Sequence, residues 1–273
     1  NVGNVGFGTT NSQIAADSNN EKVINAGIVT ANYVYGKLGG NSDSVRNTTV
    51  GTNAGDSFSG TDATNNTLIG YDSGTAITTG DGNTAVGTYA LDANTTGSQN
   101  TALGDSALGA NTTAGNNTGI GYAALAANTN ASYNTGVGYL ALTTNTTGSR
   151  NTAVGNGALQ VATTADRNTA VGSGALTANT TGANNVAIGD QALAANTTAG
   201  GNTAVGAYAA DAITTGASNT AVGCNALTAA NTGGSNTALG HSALQSMTTG
   251  SSNTALGQSA GGTLTTASND TAV

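Results

Sequence analysis

Residues 168–184 read N-T-A-V-G-S-G-A-L-T-A-N-T-T-G-A-N, and this 17-residue unit recurs without insertion or deletion to the end of the chain. Its first residue, numbered position 1, returns at Asn83, Asn100, Asn117, Asn134, Asn151, Asn168, Asn185, Asn202, Asn219, Asn236 and Asn253. A last unit begins at Asp270 and contains four residues. Repeats of fixed length stack as equivalent structural units, so each unit is predicted to form one rung of a solenoid.

Composition argues against an ordinary globular domain. The 273 residues include 42 glycines and no proline or tryptophan, and 7% are charged, against roughly 25% in a typical soluble domain. Disordered chains keep neither strict register nor an aliphatic residue at one phase of every repeat. A helical hairpin repeat is disfavoured because glycine, asparagine and threonine are poor helix formers. An all-β solenoid is therefore the predicted fold class.

Positions 1 to 5 predict a short strand with a buried centre. Position 4 is always aliphatic and mostly β-branched, which is typical of an inward-facing site on a strand. Positions 8 and 9, Ala-Leu in nine of eleven units, predict a second short strand. The rung core is assigned to position 4 (Val86, Leu103, Ile120, Val137, Val154, Val171, Ile188, Val205, Val222, Leu239 and Leu256) and to the position 9 leucines (Leu91, Leu108, Leu125, Leu142, Leu159, Leu176, Leu193, Leu227 and Leu244).

Position 5 is glycine in every unit, where a bend or a close approach of two backbones would exclude a Cβ. These bend glycines are Gly87, Gly104, Gly121, Gly138, Gly155, Gly172, Gly189, Gly206, Gly223, Gly240 and Gly257. The N-T-T-G sequence at positions 12 to 15 supplies turn chemistry. Stacking would also place identical asparagine and threonine side chains in ladders. Each unit is thus predicted as strand, bend, strand and turn.

The apolar content of one rung is small for a free-standing coil. A valine, a leucine and a few alanines contribute only a few kcal/mol at about 25 cal/mol per Å², whereas ordering the chain costs about 1.5 kcal/mol per residue. The two apolar columns, at positions 4 and 9, are reconciled if one fills the coil and the other contacts neighbouring chains. We therefore predict a parallel homo-oligomer, most simply a homotrimer.

The chain divides into three segments. Residues 1–46 differ in composition and are predicted to be an adapter or linker, with short strands at 29–35. Residues 47–82 are predicted to be irregular first rungs, with Phe58 as a candidate plug over the open end of the stack. Residues 83–273 are the regular array. The missing initiator methionine and the end inside a repeat predict a section of a longer protein.

Several function classes are disfavoured. A net charge of −8 with five basic residues excludes the basic stripe that nucleic-acid binding needs. No apolar run approaches the roughly 18 residues of a membrane span, so no membrane insertion is predicted. Catalysis needs convergent titratable groups, but His241 and Cys224 are single and the aspartates change phase between rungs. We predict no catalytic, cofactor or metal site, and no enzyme.

Five tyrosines are candidate surface-contact residues. Tyr122 and Tyr139 share position 6 of adjacent units, Tyr133 lies between them at a turn, and Tyr89 and Tyr208 occupy position 7. Exposed aromatic rings are suited to stacking on the sugars of a host-surface glycan. The alternative is an exposed aromatic ladder that stiffens the sheet.

Units such as residues 100–116, N-T-A-L-G-D-S-A-L-G-A-N-T-T-A-G-N, resemble the N-T-A-x-G-x-x-A-L-x-x-N-T-T-G arrays of phage and virus tail-fibre proteins. The N-V-G-F-G-T-T at residues 4–10 is similar to an element common upstream of such arrays. More distantly, the units resemble the shorter head repeats of trimeric autotransporter adhesins. These resemblances imply a left-handed parallel β-roll assembled as a parallel homotrimeric fibre.

The resemblance implies a structural shaft or adhesin segment of a virion fibre, a rigid spacer that supports host-surface attachment. Its partners would be two sister chains and other fibre or virion proteins at the ends. The alternative is the head of a trimeric adhesin on a bacterial cell surface. A third hypothesis, an ice-binding β-solenoid, requires a flat, exposed two-column threonine array on a monomer. It is disfavoured because the position 2 threonines flank a strand predicted to have a buried centre.

Overall fold

The computed structural model describes residues 46–58, 62–229 and 232–273; the strands predicted at 29–35 and nearly all of the predicted adapter lie outside them. Fourteen strands form one parallel sheet in which each pairs with the next along the chain. They are β1 (Thr48–Val50), β2 (Thr67–Ile69), β3 (Thr84–Val86), β4 (Thr101–Leu103), β5 (Thr118–Ile120), β6 (Thr135–Val137), β7 (Thr152–Val154), β8 (Thr169–Val171), β9 (Val186–Ile188), β10 (Thr203–Val205), β11 (Thr220–Val222), β12 (Thr237–Leu239), β13 (Thr254–Leu256) and β14 (Thr271–Ala272). The predicted all-β solenoid is confirmed.

Neighbouring strands pair position for position. Thr152 pairs with Thr169, and Val154 with Val171. The first rung is two residues longer than the others, yet Thr48 still pairs with Thr67. The extra residues therefore lie outside the strands. Phe58 is on this first rung and packs, partly buried, against the apolar core.

The prediction that position 4 faces the interior is wrong. Side chains of a strand alternate between its two faces, and position 3 is the inward one: Ala153 and Ala170 are fully buried. Position 4 points outward, and Leu103 and Leu256 are 45% and 50% exposed. The residues that we wrongly assigned to the interior are Val86, Leu103, Ile120, Val137, Val154, Val171, Ile188, Val205, Val222, Leu239 and Leu256.

The reason is the narrow interior of the coil. A Cβ added to Gly119, at position 3, would lie 3.2 Å from Cγ of Leu108, the position 9 leucine of the preceding rung. Where the preceding rung has leucine at position 9, only a small residue fits there, so the larger aliphatic side chain takes the outward position. The buried Leu68 of β2 is the exception, because the preceding rung has Gly55 at position 9. The leucines at position 9 are all fully buried.

The second strand predicted at positions 8 and 9 is also wrong, because this segment forms tight turns. Leu193 has a left-handed backbone with φ of 52°, as does Gln191 at position 7 with φ of 55°. The Gln191 N–H donates to Ser173 O in the preceding rung (2.9 Å), and the Leu193 N–H donates to Ala209 O in the next (3.0 Å). Hydrogen bonds to both neighbours offset the roughly 1–2 kcal/mol cost of a left-handed residue.

Two asparagines per rung are buried in much of the stack. The Asn168 backbone N–H donates to Oδ1 of Asn151 (2.9 Å), and its Nδ2 donates across the rung to the carbonyl of Gly182 (2.9 Å). Nδ2 of Asn179, at position 12, donates to the same carbonyl (2.9 Å). These bonds satisfy polar groups that would be costly to bury unpaired. The sequence predicted ladders and turns here, but not the burial.

The position 5 glycine is required by a close approach between rungs. Gly172 has φ of 138°, and a Cβ on it would lie 2.3 Å from the carbonyl oxygen of Gly189. No side chain fits that gap, and the conformation is one that only glycine adopts readily.

Candidate functional site

The outer sheet face, formed by positions 2 and 4 of the strands, is the largest regular surface of the described chain. Position 2 is threonine in every strand except β9, where it is Val186. Position 4 is aliphatic from Val50 in β1 to Leu256 in β13. In-register pairing makes each position a straight column with a spacing of about 4.8 Å. The face therefore carries a hydroxyl column beside an apolar column.

The aliphatic column is exposed at its larger residues. Ile69, Ile188 and Leu239 are 39%, 41% and 44% exposed, in addition to Leu103 and Leu256. Monomeric proteins rarely expose contiguous apolar patches above a few hundred Å². A column of this length on a polar chain is typical of an interaction surface.

The tyrosines border this face beyond the position 5 glycines. Tyr122 and Tyr139 are each 52% exposed and stack with ring centroids 5.4 Å apart and an interplanar angle of 15°. The stack covers one face of each ring. Tyr89 meets Tyr71 edge to face at 5.6 Å. Tyr208 is 44% exposed.

The opposite border of the face, at position 17, carries Tyr133, Arg150 and Arg167 on three successive rungs, which we call the basic column. The Arg150 guanidinium lies over the Tyr133 ring, 5.8 Å from its centroid. Backbone bonds hold the column in register: the Arg150 N–H donates to Ser132 O (3.3 Å), and the Arg167 N–H to Ser149 O (3.0 Å). All three side chains are exposed.

Two half-buried aspartates occupy position 10. Burial raises the pKa of Asp92 and of Asp211, although backbone N–H groups oppose the shift. Oδ1 of Asp211 is buried and accepts no hydrogen bond. Among the residues that the structure describes, neither carboxylate belongs to a group of three histidine, cysteine, aspartate or glutamate side chains.

His241 and Cys224 are exposed at position 6 of neighbouring rungs. Within the described ranges, no three potential metal ligands lie together. The same part of the chain has no helix with the length and hydropathy of a membrane span. Comparison with known proteins identifies no family: no family model matches the sequence, and no curated protein is significantly similar to it.

Proposed function

We propose that this chain is a shaft segment of a virion fibre, in which three parallel copies form a rigid spacer that supports attachment to a host surface. The observation that carries the proposal is the exposed aliphatic column of the outer sheet face. Water-exposed leucine and isoleucine side chains recur along it, and sister chains of the same repeat would cover them. The tail-fibre resemblance of the repeat supports the virion as its location.

The size of the face suits such an assembly. All strands except β14 have three residues, with a rise of about 3.3 Å per residue, and the fourteen strands are spaced about 4.8 Å apart, so the face measures roughly 10 by 65 Å. That is roughly 650 Å², close to the ~800 Å² that each partner buries in a standard interface. A threefold axis along the stack keeps each rung level with the same rung of its sisters, so like columns meet in register. The left-handed coil belongs to this proposal and rests on the resemblance to adhesin heads.

The oligomeric state tests the proposal. Sedimentation velocity of the wild-type chain should give a trimer. Val154→Glu together with Val171→Glu places charges on the outer face and should give monomers that keep the β-sheet circular dichroism signal. Val161→Glu is the matched control, because Val161 is 36% exposed but lies at position 11, away from this face. A monomeric wild-type chain would refute the trimer.

An ice-binding solenoid is the second candidate, and one observation favours it. We disfavoured this function because the threonines flank a buried strand centre, yet the position 2 threonines point outward beside the aliphatic column. Thr152 and Thr169 are each partly exposed and directly paired across the sheet. This candidate requires the face to be open on a monomer. The ice-binding function would be favoured over the fibre if the chain is a monomer that shows thermal hysteresis, and if Thr152→Tyr with Thr169→Tyr abolishes that hysteresis.

A further inference from the structure

The basic column gathers positive charge on a chain that is otherwise acidic. Net charge is −8, yet Arg150 and Arg167 lie on adjacent rungs about 4.8 Å apart. Like charges on neighbouring strands repel each other. In the described ranges neither guanidinium forms an ion pair, and Arg150 is stabilised by the Tyr133 ring beneath it.

Asp166, which precedes Arg167 in the chain, is the candidate counter-ion, and it already accepts a backbone hydrogen bond. Oδ1 of Asp166 accepts the backbone N–H of Ser149 (2.6 Å). One column position earlier, Oγ of Ser132 accepts the N–H of Gly115 in the same way (3.2 Å). At position 16, the Asp166 carboxylate therefore accepts the same hydrogen bond between rungs as the serine hydroxyl does elsewhere. The carboxylate keeps its charge, but in the described ranges it forms no ion pair with either arginine.

Sister chains would not neutralise the column either. In a threefold arrangement, the position 17 border of one outer face adjoins the position 6 border of the next copy. At the height of the basic column, position 6 is Tyr139, Asn156 and Ser173, none of which is acidic. The nearest acidic residue along that column is Asp190, one rung beyond Ser173. The site of each chain therefore has two guanidinium groups against the one carboxylate of Asp166, which leaves it with a positive charge that would be repeated three times around the fibre.

We propose that the basic column binds an acidic saccharide through its carboxylate or sulfate groups. Guanidinium groups pair bidentately with such oxyanions, and the Tyr133 ring orients one of the two. The flanking residues carry amides and hydroxyls suited to sugar hydroxyls: Asn116, Ser132, Ser149 and Asn184. Two cations are too few for nucleic acid or an anionic membrane, which need longer basic stretches.

This inference deepens the proposed function by naming the chemistry of the surface that a fibre would touch. Three copies per fibre would multiply a weak single-site affinity. Binding and assembly are separate measurements, so the two proposals can fail independently.

Binding of the full chain is measured by interferometry to polygalacturonate and to its methyl ester, which has the same sugar without the charge. Dextran sulfate and dextran form a second pair, and they separate sulfate from carboxylate recognition. The wild-type chain should bind at least one charged polymer and neither neutral one. Arg150→Gln with Arg167→Gln should weaken binding by about tenfold or more. Arg46→Gln, a charge removed far along the stack, should leave binding unchanged.

Equal binding of charged and neutral polymers, or of wild type and the double variant, would overturn the proposal. Sedimentation velocity of the same variants gives the other outcome. If the double variant loses its oligomeric state and the wild-type chain binds no acidic polymer, the basic column is an interchain contact and not a saccharide site. That result leaves the proposed fibre intact.

Discussion

Ile77 lies beside Gly74 in the interior of the second rung: a Cβ on Gly74 would lie 2.9 Å from Cδ1 of Ile77, and 2.8 Å from Cδ1 of Leu68, which fills the same space from position 3. Gly74 is at position 9, where most rungs have leucine, and Ile77 is at position 12, where asparagine is the commonest residue. The apolar volume has moved three residues along the chain without leaving the core.

The same exchange occurs in every rung that lacks the position 9 leucine. The pairs at positions 9 and 12 are Gly55 and Phe58, Gly74 and Ile77, Ala210 and Ile213, and Gly261 and Leu264. A Cβ on Gly55 would lie 2.8 Å from the Phe58 ring, and one on Gly261 would lie 3.1 Å from Cδ1 of Leu264. In these four rungs, positions 9 and 12 therefore share one interior volume, which close packing keeps filled. The rung with Leu244 at position 9 also buries Met247 at position 12, so that rung holds two large side chains.

We expect this sharing to appear as strong coupling between Ala210 and Ile213. Ala210→Leu alone overfills the rung and should destabilise by about 1–3 kcal/mol. Adding Ile213→Asn restores the common rung and should recover most of that loss. Denaturant midpoints of the two single variants and the double variant give the coupling energy, which should exceed about 1 kcal/mol. Additive effects would show that the positions pack independently.

The ladder of asparagine side chains at position 12 is interrupted after Asn145, and a single substitution should restore it. Nδ2 of Asn145 donates to Oδ1 of Asn128 (3.0 Å), but the Oδ1 of Asn145 is buried without a partner because the next rung has Ala162. Ala162→Asn should supply the missing donor and stabilise the chain by about 1 kcal/mol. Ala162→Asp has the same shape but, as a carboxylate, no donor, and should destabilise. Equal denaturant midpoints for the two variants would contradict this explanation.

Two glycines of one rung should respond differently to a methyl group. Gly155→Ala places a Cβ 2.4 Å from the carbonyl oxygen of Gly172 and requires φ of 139°, so we expect a loss of at least about 2 kcal/mol. Gly157→Ala, at position 7 with φ of 59°, meets only Oε1 of Gln160 at 3.4 Å and should cost only the roughly 1 kcal/mol of a left-handed residue. Ala123 already occupies position 7 in another rung. Thermal unfolding of both variants makes the comparison.

Asp211 should make stability depend on pH. Burial raises the pKa of its carboxyl in the folded chain, so the folded state holds the proton more tightly than the unfolded state, whose pKa is about 3.9. Stability from this group is present at low pH and is lost as pH rises through the folded pKa. Asp211→Asn should therefore raise the denaturant midpoint at neutral pH and have little effect near pH 3.

Asp190→Asn is the control for that experiment, since it removes the same charge from an exposed position 6. A gain of equal size in both variants would trace the effect to net charge. A gain confined to Asp211→Asn would trace it to the buried Oδ1.

Periodicity was enough to predict the stack, its in-register pairing and the place of the bend glycines. An unbroken 17-residue period allows only equivalent rungs, and a residue such as Gly172 recurs because every rung repeats the same close approach. The proximity of Tyr122 and Tyr139 was also predictable, because both occupy position 6 of adjacent units. Their stacked geometry was not, because position alone leaves the ring orientation open.

Which side of the strand faces inward was decided by the tertiary structure. Residues at positions 3 and 4 are both apolar. Because neighbouring side chains of a strand point to opposite faces, only one of the two is buried, and the sequence does not show which one. The sequence favoured the larger one, Val154 over Ala153, as core. In the coil, the position 9 leucine of the preceding rung fills the space behind position 3, and its left-handed backbone makes that possible. Beside such a leucine only the small residue fits inside, and the aliphatic column is left on the outer sheet face.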